Sequence, residues 1–294
     1  MDAAGEKTRW FHCGRYRLPL GEKTYLMGII NVTPDSFSDG GCYLTSDSAL
    51  RQAEALLQAG ADLLDIGGES SRPGSSPVDE QEELRRVIPI IKSITGRFAC
   101  PVSVDTVKPA VARSAIEAGA CIINDINGLQ AEPKMAQLAA AADAGVVIMH
   151  NARLYRRDES AEQADIITTT RDFLANSLDV AWQAGLRAEQ LALDPGIGFA
   201  VNTAESLSLI RHLSALSVFG LPILIGPSRK RFIGDILHVP VSERLMGTAA
   251  AVAVSIAHGA DFVRVHDVAQ MAAIVKMSDA ICRGSQEGSS CPKI

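Results

Sequence analysis

Six residues far apart in the chain share one context. Asp105, Asn124, Asp194, Lys230, Arg264 and His266 each stand at or just beyond the end of a short apolar run. Carboxylates and an amide accept hydrogen bonds, so Asp105, Asn124 and Asp194 suit a flat heterocycle rich in N–H donors. Lys230 could donate to a carbonyl on the same ring. Arg229, Lys230, Arg231, Arg264 and His266, with Arg72 from an earlier segment, make a local positive field in an otherwise acidic chain. Such a field fits a phosphate or diphosphate. Polar edges for a ring beside cations for a diphosphate point to one substrate that carries both. Taken singly, a strand-end Asp is often only a helix cap, and Asp125 and Asp267 suit that role. Arg229 or Arg231 can equally be a solvated charge at a helix start.

These residues need elements that bring them together. From Tyr25 onward a helix-period segment ends at Ala-Gly or His-Gly and a short apolar strand follows. The joints include Gly60, Gly119, Gly145, Gly185 and Gly259. Glycine just past a helix accepts the left-handed conformation that closes it. The strands read YLMGIIN (25–31), LLDIGG (63–68), PVSVDT (101–106), CIINDI (121–126), VVIMHN (146–151), LALDPG (191–196), PILIGPS (222–228) and FVRVHD (262–267). Between them Leu84, Val87, Ile88, Ile91 and Ile94 form one apolar stripe, preceded by a capping box of Asp79 and Glu82. Ala49, Leu50, Ala53, Leu56 and Leu57 form a second such face. Residues 242–257 are apolar almost all round, which suits a buried helix or one at an oligomer interface.

Eight strands alternating with helices imply an α/β chain folded as a (β/α)8 TIM barrel. Residues 8–24 read as a short N-terminal β-hairpin turning near Gly14, placed to plug the barrel's bottom. The implied division is an N-terminal segment (1–24), a catalytic barrel (25–283) and a disordered tail (284–294). An open doubly wound sheet is the alternative, but the Gly-rich phosphate loop expected after its first strand is absent. In a barrel of this type the site lies at the C-terminal strand ends. Those ends give Asn31, residues 69–72, Asp105, Asn124 and Asp125, His150 and Asn151, Asp194, residues 228–230, and Arg264 with His266. The loop after Asn31 is polar, Gly-rich and holds Phe37, as a closing lid would.

Composition narrows the function classes. Of 294 residues, 47% are hydrophobic and 5% aromatic, so branched aliphatics must fill the core. A net charge of −6 argues against nucleic-acid binding. Six cysteines show no CxxC and no paired spacing, which suits reduced thiols rather than a zinc site or a disulfide framework. No apolar run reaches membrane-spanning length, and MDAAGEKTRW lacks a signal-peptide core. A cytoplasmic enzyme with small-molecule substrates, and no nucleic-acid or membrane partner, is expected.

The segments MGIINVTPDSFSDGG (27–41), DIGGESSRPG (65–74), VSVDT (102–106), INDING (123–128), LDPGIGF (193–199), SRKRFIG (228–234) and RVHD (264–267) resemble, in this order, the dihydropteroate synthase family. The resemblance covers most of residues 25–268. It implies a transferase of folate synthesis, usually a homodimer. Such an enzyme joins 6-hydroxymethyl-7,8-dihydropterin diphosphate to 4-aminobenzoate by an SN1-like course and releases pyrophosphate. Carried onto matching positions, it implies that Asp105, Asn124, Asp194 and Lys230 hold the pterin. Asn31, Arg72, Arg264 and His266 would hold the diphosphate, with Mg2+ at Asn31. Phe37, Ser71, Pro73 and Ser228 would frame the aminobenzoate. Asp105, Lys230, Arg264 and His266 form the implied catalytic set. This chain departs from the family pattern with Ser71 for Thr, Asn151 for Met, Ala200 and Val201 where a Lys is usual, and Pro227 for Thr. A pterin-binding methyltransferase barrel, a Schiff-base aldolase using Lys230 and a non-catalytic pterin binder are the rival readings.

Overall fold

The computed structural model describes residues 9–32, 46–69, 77–154 and 165–284. Phe37, Ser71, Arg72 and Pro73, the lid expected after Asn31, and residues 285–294 of the expected tail lie outside them. Strands β1 (Arg9–Cys13) and β2 (Tyr16–Leu20) pair antiparallel around a turn in which Gly14 takes a left-handed φ of 56°. The barrel follows: β3 (Tyr25–Asn31), β4 (Leu63–Gly67), β5 (Val102–Asp105), β6 (Ile122–Asp125), β7 (Gly145–Met149), β8 (Leu191–Asp194), β9 (Leu224–Ile225) and β10 (Phe262–Val265). All neighbours pair in parallel, in the order β8-β7-β6-β5-β4-β3-β10-β9. A parallel bridge from Ile223 to Leu193 joins the two ends of that series and closes the ring.

Helices α1 (Ser46–Gln58), α2 (Glu80–Arg97), α3 (Pro109–Glu117), α4 (Lys134–Ala141), α5 (Ile166–Gln183) and α6 (Thr203–Arg211) each connect successive strands. Both α7 (Arg231–Leu237) and α8 (Leu245–Ala257) lie between β9 and β10, and α9 (Val268–Arg283) follows β10. At four of the five expected joints glycine is left-handed, with φ of 104° at Gly60 and Gly119, 89° at Gly185 and 96° at Gly259. At the fifth, Asp143 takes that conformation (φ 53°) and Gly145 opens β7 instead. A Cβ on Gly145 would lie 2.8 Å from the Phe11 ring and 2.9 Å from Cys13 Cβ. That glycine therefore makes room for the hairpin.

Two apolar regions follow from strand alternation. Residues such as Leu26, Ile30, Leu64, Ile66, Val102, Val104 and Ile123 face outward and pack on the helices. Inside the bottom of the barrel, Phe11, Cys13 and Leu20 of the hairpin pack against Tyr25, Met27, Leu63, Ile122, Leu224 and Phe262. The Phe262 ring meets Phe11 edge-on and Tyr25 stacked, both at 5.3 Å between centroids. The hairpin thus plugs the N-terminal end.

Details of two helices differ from the sequence expectation. On α2 the buried residues are Glu83, Val87, Ile90, Ile91 and Ile94, with Leu84 and Ile88 only half-buried. The stripe is rotated because Glu83 turns inward to meet Lys108. Asp79 accepts from Glu82 N at 2.9 Å, but the Glu82 carboxylate pairs with Arg85 and Arg86, so only half of the capping box forms. Among the described residues no helix is long and apolar enough to cross a membrane.

Candidate active site

Inward positions on the barrel strands change character from one end to the other. Tyr25, Leu63, Ile122, Ala192 and Phe262 line the bottom. One pleat or more further on, the same faces carry Asn31, Asp65, Asn124, Asp194 and Arg264, and Ser103 and Asp105 follow the same alternation on β5. Their side chains meet at the C-terminal mouth. Arg264 Nη2 donates to Asp105 Oδ2 at 2.8 Å, and Nε donates to Asp65 Oδ2 at 2.6 Å. Asn124 Nδ2 also reaches Asp65 Oδ2, at 3.3 Å. Gly67 stands across from Asp105, where a Cβ would come within 3.5 Å of the Asp105 Cβ.

The loop after β8 builds the opposite wall. Asp194 Oδ1 accepts from Gly196 N at 2.7 Å. Gly196 has φ 71° and passes so close to the His150 carbonyl that any side chain would collide with it. Lys230 Nζ donates to the Ile197 carbonyl and lies 4.1 Å from the centre of the Phe199 ring. Gly198, at φ 77°, lets the lysine cross it; a Cβ there would lie 2.7 Å from Lys230 Cδ. Ser228 Oγ lies 2.9 Å from His266 Nδ1 and accepts from His266 N at 3.1 Å, so Ser228 fixes the imidazole.

Burial and crowding tune these groups. Burial pushes the Asp105 carboxyl up to about 7, with Asp65, Glu83 and Asp125 adding to the rise and Arg264 opposing it. Burial also raises Asp194, against Lys230, the Gly196 N–H and Arg264. Burial draws Lys230 down to about 8, helped by Arg264 and opposed by Asp194 and Asp105. For Arg264, burial works against the charge, but Asp65, Asp105 and Asp194 outweigh it and the group is held above its ordinary value. The mouth is therefore a set of desolvated groups of both signs, in which Asp105, Asp194 and Lys230 shift toward their neutral forms while Arg264 keeps its charge.

Not every strand-end residue turns into the mouth. Asp125 accepts from Asn127 N (2.8 Å) and Leu129 N (3.0 Å) and caps its own turn. His150 is fully buried, with Nδ1 3.1 Å from the Pro195 carbonyl and 3.2 Å from Thr170 Oγ1, and its ring meets Phe173 edge-on. Asn151 donates to Asn127 Oδ1 at 2.9 Å and so ties the loops after β6 and β7 together. Asp267 makes no side-chain cap for α9; it pairs with Arg229 instead, at 2.9 Å from Nε. Arg231 is the solvated cation, 85% exposed. Val201 packs half-buried against the outer core.

Three features are absent from the sequence-derived set. Asp65 sits in the middle of β4, where a carboxylate inside an apolar strand was the available signal. Phe199 supplies a face to Lys230. Lys108 Nζ bridges Glu69 at 2.6 Å and the buried Glu83, while Arg86 Nη1 donates to the Gly68 carbonyl at 2.9 Å. Together they hold Gly68 and Glu69 just beyond the end of β4.

Residues 27–266 match the model of the pterin binding enzyme family. The chain is 46% identical over 276 residues to the dihydropteroate synthase of Bacillus subtilis, covering 94% of this chain and 95% of that one. It is similar to the dihydropteroate synthase of Clostridium difficile solved in the presence of pteroic acid, at 44% identity and a TM-score of 0.85, covering 90% and 98% of the two chains. The dihydropteroate synthase of Xanthomonas albilineans solved with 4-aminobenzoic acid matches at 39% identity and a TM-score of 0.86, covering 94% and 98%. A barrel with charged inward groups at its mouth, matched along almost its whole length, belongs to the dihydropteroate synthase family, transferases of folate biosynthesis.

Proposed function

We propose that the barrel mouth joins 6-hydroxymethyl-7,8-dihydropterin diphosphate to 4-aminobenzoate with the residues gathered there in distinct roles. The observation that carries this reading is the convergence of Asp105, Asn124, Asp194, Lys230 and Arg264 on one end of the barrel. Asp105, Asn124 and Asp194 accept from the ring's N–H groups, and Lys230 donates to its carbonyl. Arg264, already held by two carboxylates, keeps Nη1 for the diphosphate; that nitrogen makes no hydrogen bond among the described residues. His266, oriented by Ser228, and Arg72 complete the anion site, while Phe37, Ser71, Pro73 and Ser228 frame the aminobenzoate.

Among the described residues no cluster of three or more His, Cys, Asp or Glu is placed to hold a metal. Asn31 at the end of β3 offers one oxygen, a donor set that fits Mg2+, which binds through few protein ligands and substrate phosphate. Bound there, Mg2+ supplies charge that helps the diphosphate depart. Breaking the C–O bond leaves an exocyclic carbocation, which the electron-rich ring and the nearby Asp105 carboxylate stabilise. The aromatic amine, held in line, forms the new C–N bond with its lone pair, and the proton it then sheds passes to the released pyrophosphate or to solvent. The family course is SN1-like.

A homodimer is part of this reading. Exposed apolar side chains stand on three helices that pack in succession, α7 on α8 and α8 on α9: Ile236 and Leu237 on α7, Met246 and Val254 on α8, Met277 and Ile281 on α9. An apolar face of this kind marks an association surface. The buried free thiols Cys13, Cys100 and Cys121 suit a reducing cytoplasm.

The purified chain is given the pterin diphosphate, Mg2+ and 4-aminobenzoate, and pyrophosphate and dihydropteroate are quantified. Equal amounts of both are expected, from a species that sediments as a dimer. Tight pterin binding without turnover would make the chain a binder rather than a transferase, and a monomer would leave the apolar face without its partner.

A further inference from the structure

Asp65 is fully buried in the middle of β4, one pleat beneath the mouth. Its Oδ2 takes two hydrogen bonds, from Arg264 Nε at 2.6 Å and from Asn124 Nδ2 at 3.3 Å. Its Oδ1 is buried without a partner among the described residues, and so is Ser103 Oγ, which pairs with it in register on β5. A half-satisfied buried carboxylate works against folding. Arg264 has a second carboxylate in Asp105 at 2.8 Å, so charge balance alone does not require Asp65. The two partners differ in position. Asp105 lies at the strand end, partly open, where it can turn to a ligand; Asp65 lies below, closed off from any ligand.

We propose that Asp65 is a positioning residue of the reaction: it holds Arg264 and Asn124 from beneath and keeps the guanidinium in place when Asp105 turns to the pterin. This rests on the reading of the mouth given above. The guanidinium uses separate nitrogens for the two carboxylates, so release of Asp105 leaves the Nε bond to Asp65 intact. A planar guanidinium pinned at Nε keeps its outer edge aimed in one direction. Asn124, touching the same oxygen, is set relative to Arg264 by a shared anchor. Diphosphate and ring contacts are thereby placed at a fixed spacing before substrate arrives.

Asp65→Asn keeps shape and one acceptor but removes the charge. Its affinity for the pterin diphosphate with Mg2+, read by calorimetry without aminobenzoate, should fall about tenfold or more. KM for 4-aminobenzoate should stay within about twofold, and the melting temperature within a few degrees, because the aminobenzoate site and the fold do not depend on this contact. In an Arg264→Gln background the same change should alter pterin affinity less than about twofold, since coupled residues are non-additive. An equal loss with and without Arg264, or an unchanged affinity in the single variant, overturns the proposal. Asp65→Ser, neutral and smaller, carries the same cycle should the amide variant not fold. Wild-type turnover, measured alongside, reports on the reaction itself, so a chain that binds the pterin but does not turn over fails the functional reading and leaves the coupling to be judged on affinity.

Discussion

The two ends of this barrel are made from the same strands and differ only in which residue each pleat presents. On β4 the inward series runs Leu63 to Asp65, on β6 Ile122 to Asn124, on β8 Ala192 to Asp194 and on β10 Phe262 to Arg264. Two residues of extended chain, about 6–7 Å, separate an apolar layer from a charged one. The lower layer is closed by the hairpin and excludes water by packing aromatic on aromatic. The upper layer holds carboxylates, an arginine and a lysine; burial raises Asp105 and Asp194 and lowers Lys230, while neighbouring carboxylates hold Arg264 above its ordinary value. One end gains stability from burial; the other gives some of it up by holding charged groups out of water. If that division is right, changes at the bottom should alter stability and spare binding, and changes at the mouth should do the reverse.

The largest effect is expected at the bottom. Phe11 is 1% exposed, meets Phe262 edge-on and fills the space that Gly145 leaves. Phe11→Ala should remove about 3–5 kcal/mol of stability in denaturant titration, the range for a deleted core aromatic. Affinity for the pterin diphosphate should stay within about twofold. A loss of affinity in step with stability would mean that the plug and the mouth form one unit.

At the mouth, Asp105→Asn should lower kcat/KM about 10²–10³-fold, the scale for removing one charge-stabilising group. Its effect on stability carries the opposite sign. Burial holds the Asp105 carboxyl up at about 7 in the folded chain, against its ordinary value of 3.8. Across that window the folded state keeps a proton that the unfolded state has shed, so rising pH takes stability away, and the loss is complete above about 7. The Asn variant lacks this penalty. In thermal melts it should match the wild type near the low end of that window and exceed it increasingly up to about pH 7. A variant less stable than wild type at pH 8 would show that the Asp105–Arg264 pair holds the fold together, and the division between the ends would fail.

Much of this was legible in the sequence because the barrel repeats. Strand exits such as Asp105, Asn124 and Asp194 stand out where an apolar run stops, and left-handed glycines mark the ends of α1, α3, α5 and α8. Strands stop short of their apolar runs where exit residues leave the ladder: Pro195 and Gly196 turn toward His150, and β9 is only Leu224–Ile225 between Pro222 and Pro227. Asp65 was missed because it lies below the exit, where its charge inside an apolar run is the only signal. Glu83 was missed for the opposite reason. On a helix surface it looks like a solvated charge, and only the fold brings Lys108, on the segment after β5, against it. Alternation finds residues that share a strand; it does not find pairs made between a helix and a distant loop.

The smallest effect is expected at the rim. Asn151 donates to Asn127 Oδ1 at 2.9 Å and accepts from Arg153 N at 3.1 Å. The first bond joins the loops after β6 and β7, the second lies within the loop after β7, and no described contact links the side chain to Asp105, Asn124, Asp194 or Lys230. Asn151→Met restores the residue usual in the family and removes the two bonds. It should lower stability by about 1–2 kcal/mol, since Asn127 and Arg153 N lose a buried partner, while kcat/KM for the pterin substrate stays within about threefold. Rim residues would then behave like the bottom, contributing to stability alone, and the charged floor would be the only region in which stability and function oppose one another. A tenfold change in pterin affinity would instead make the loop after β7 a wall of the ring site, and the functional layer would extend from the strand ends into the loops above them.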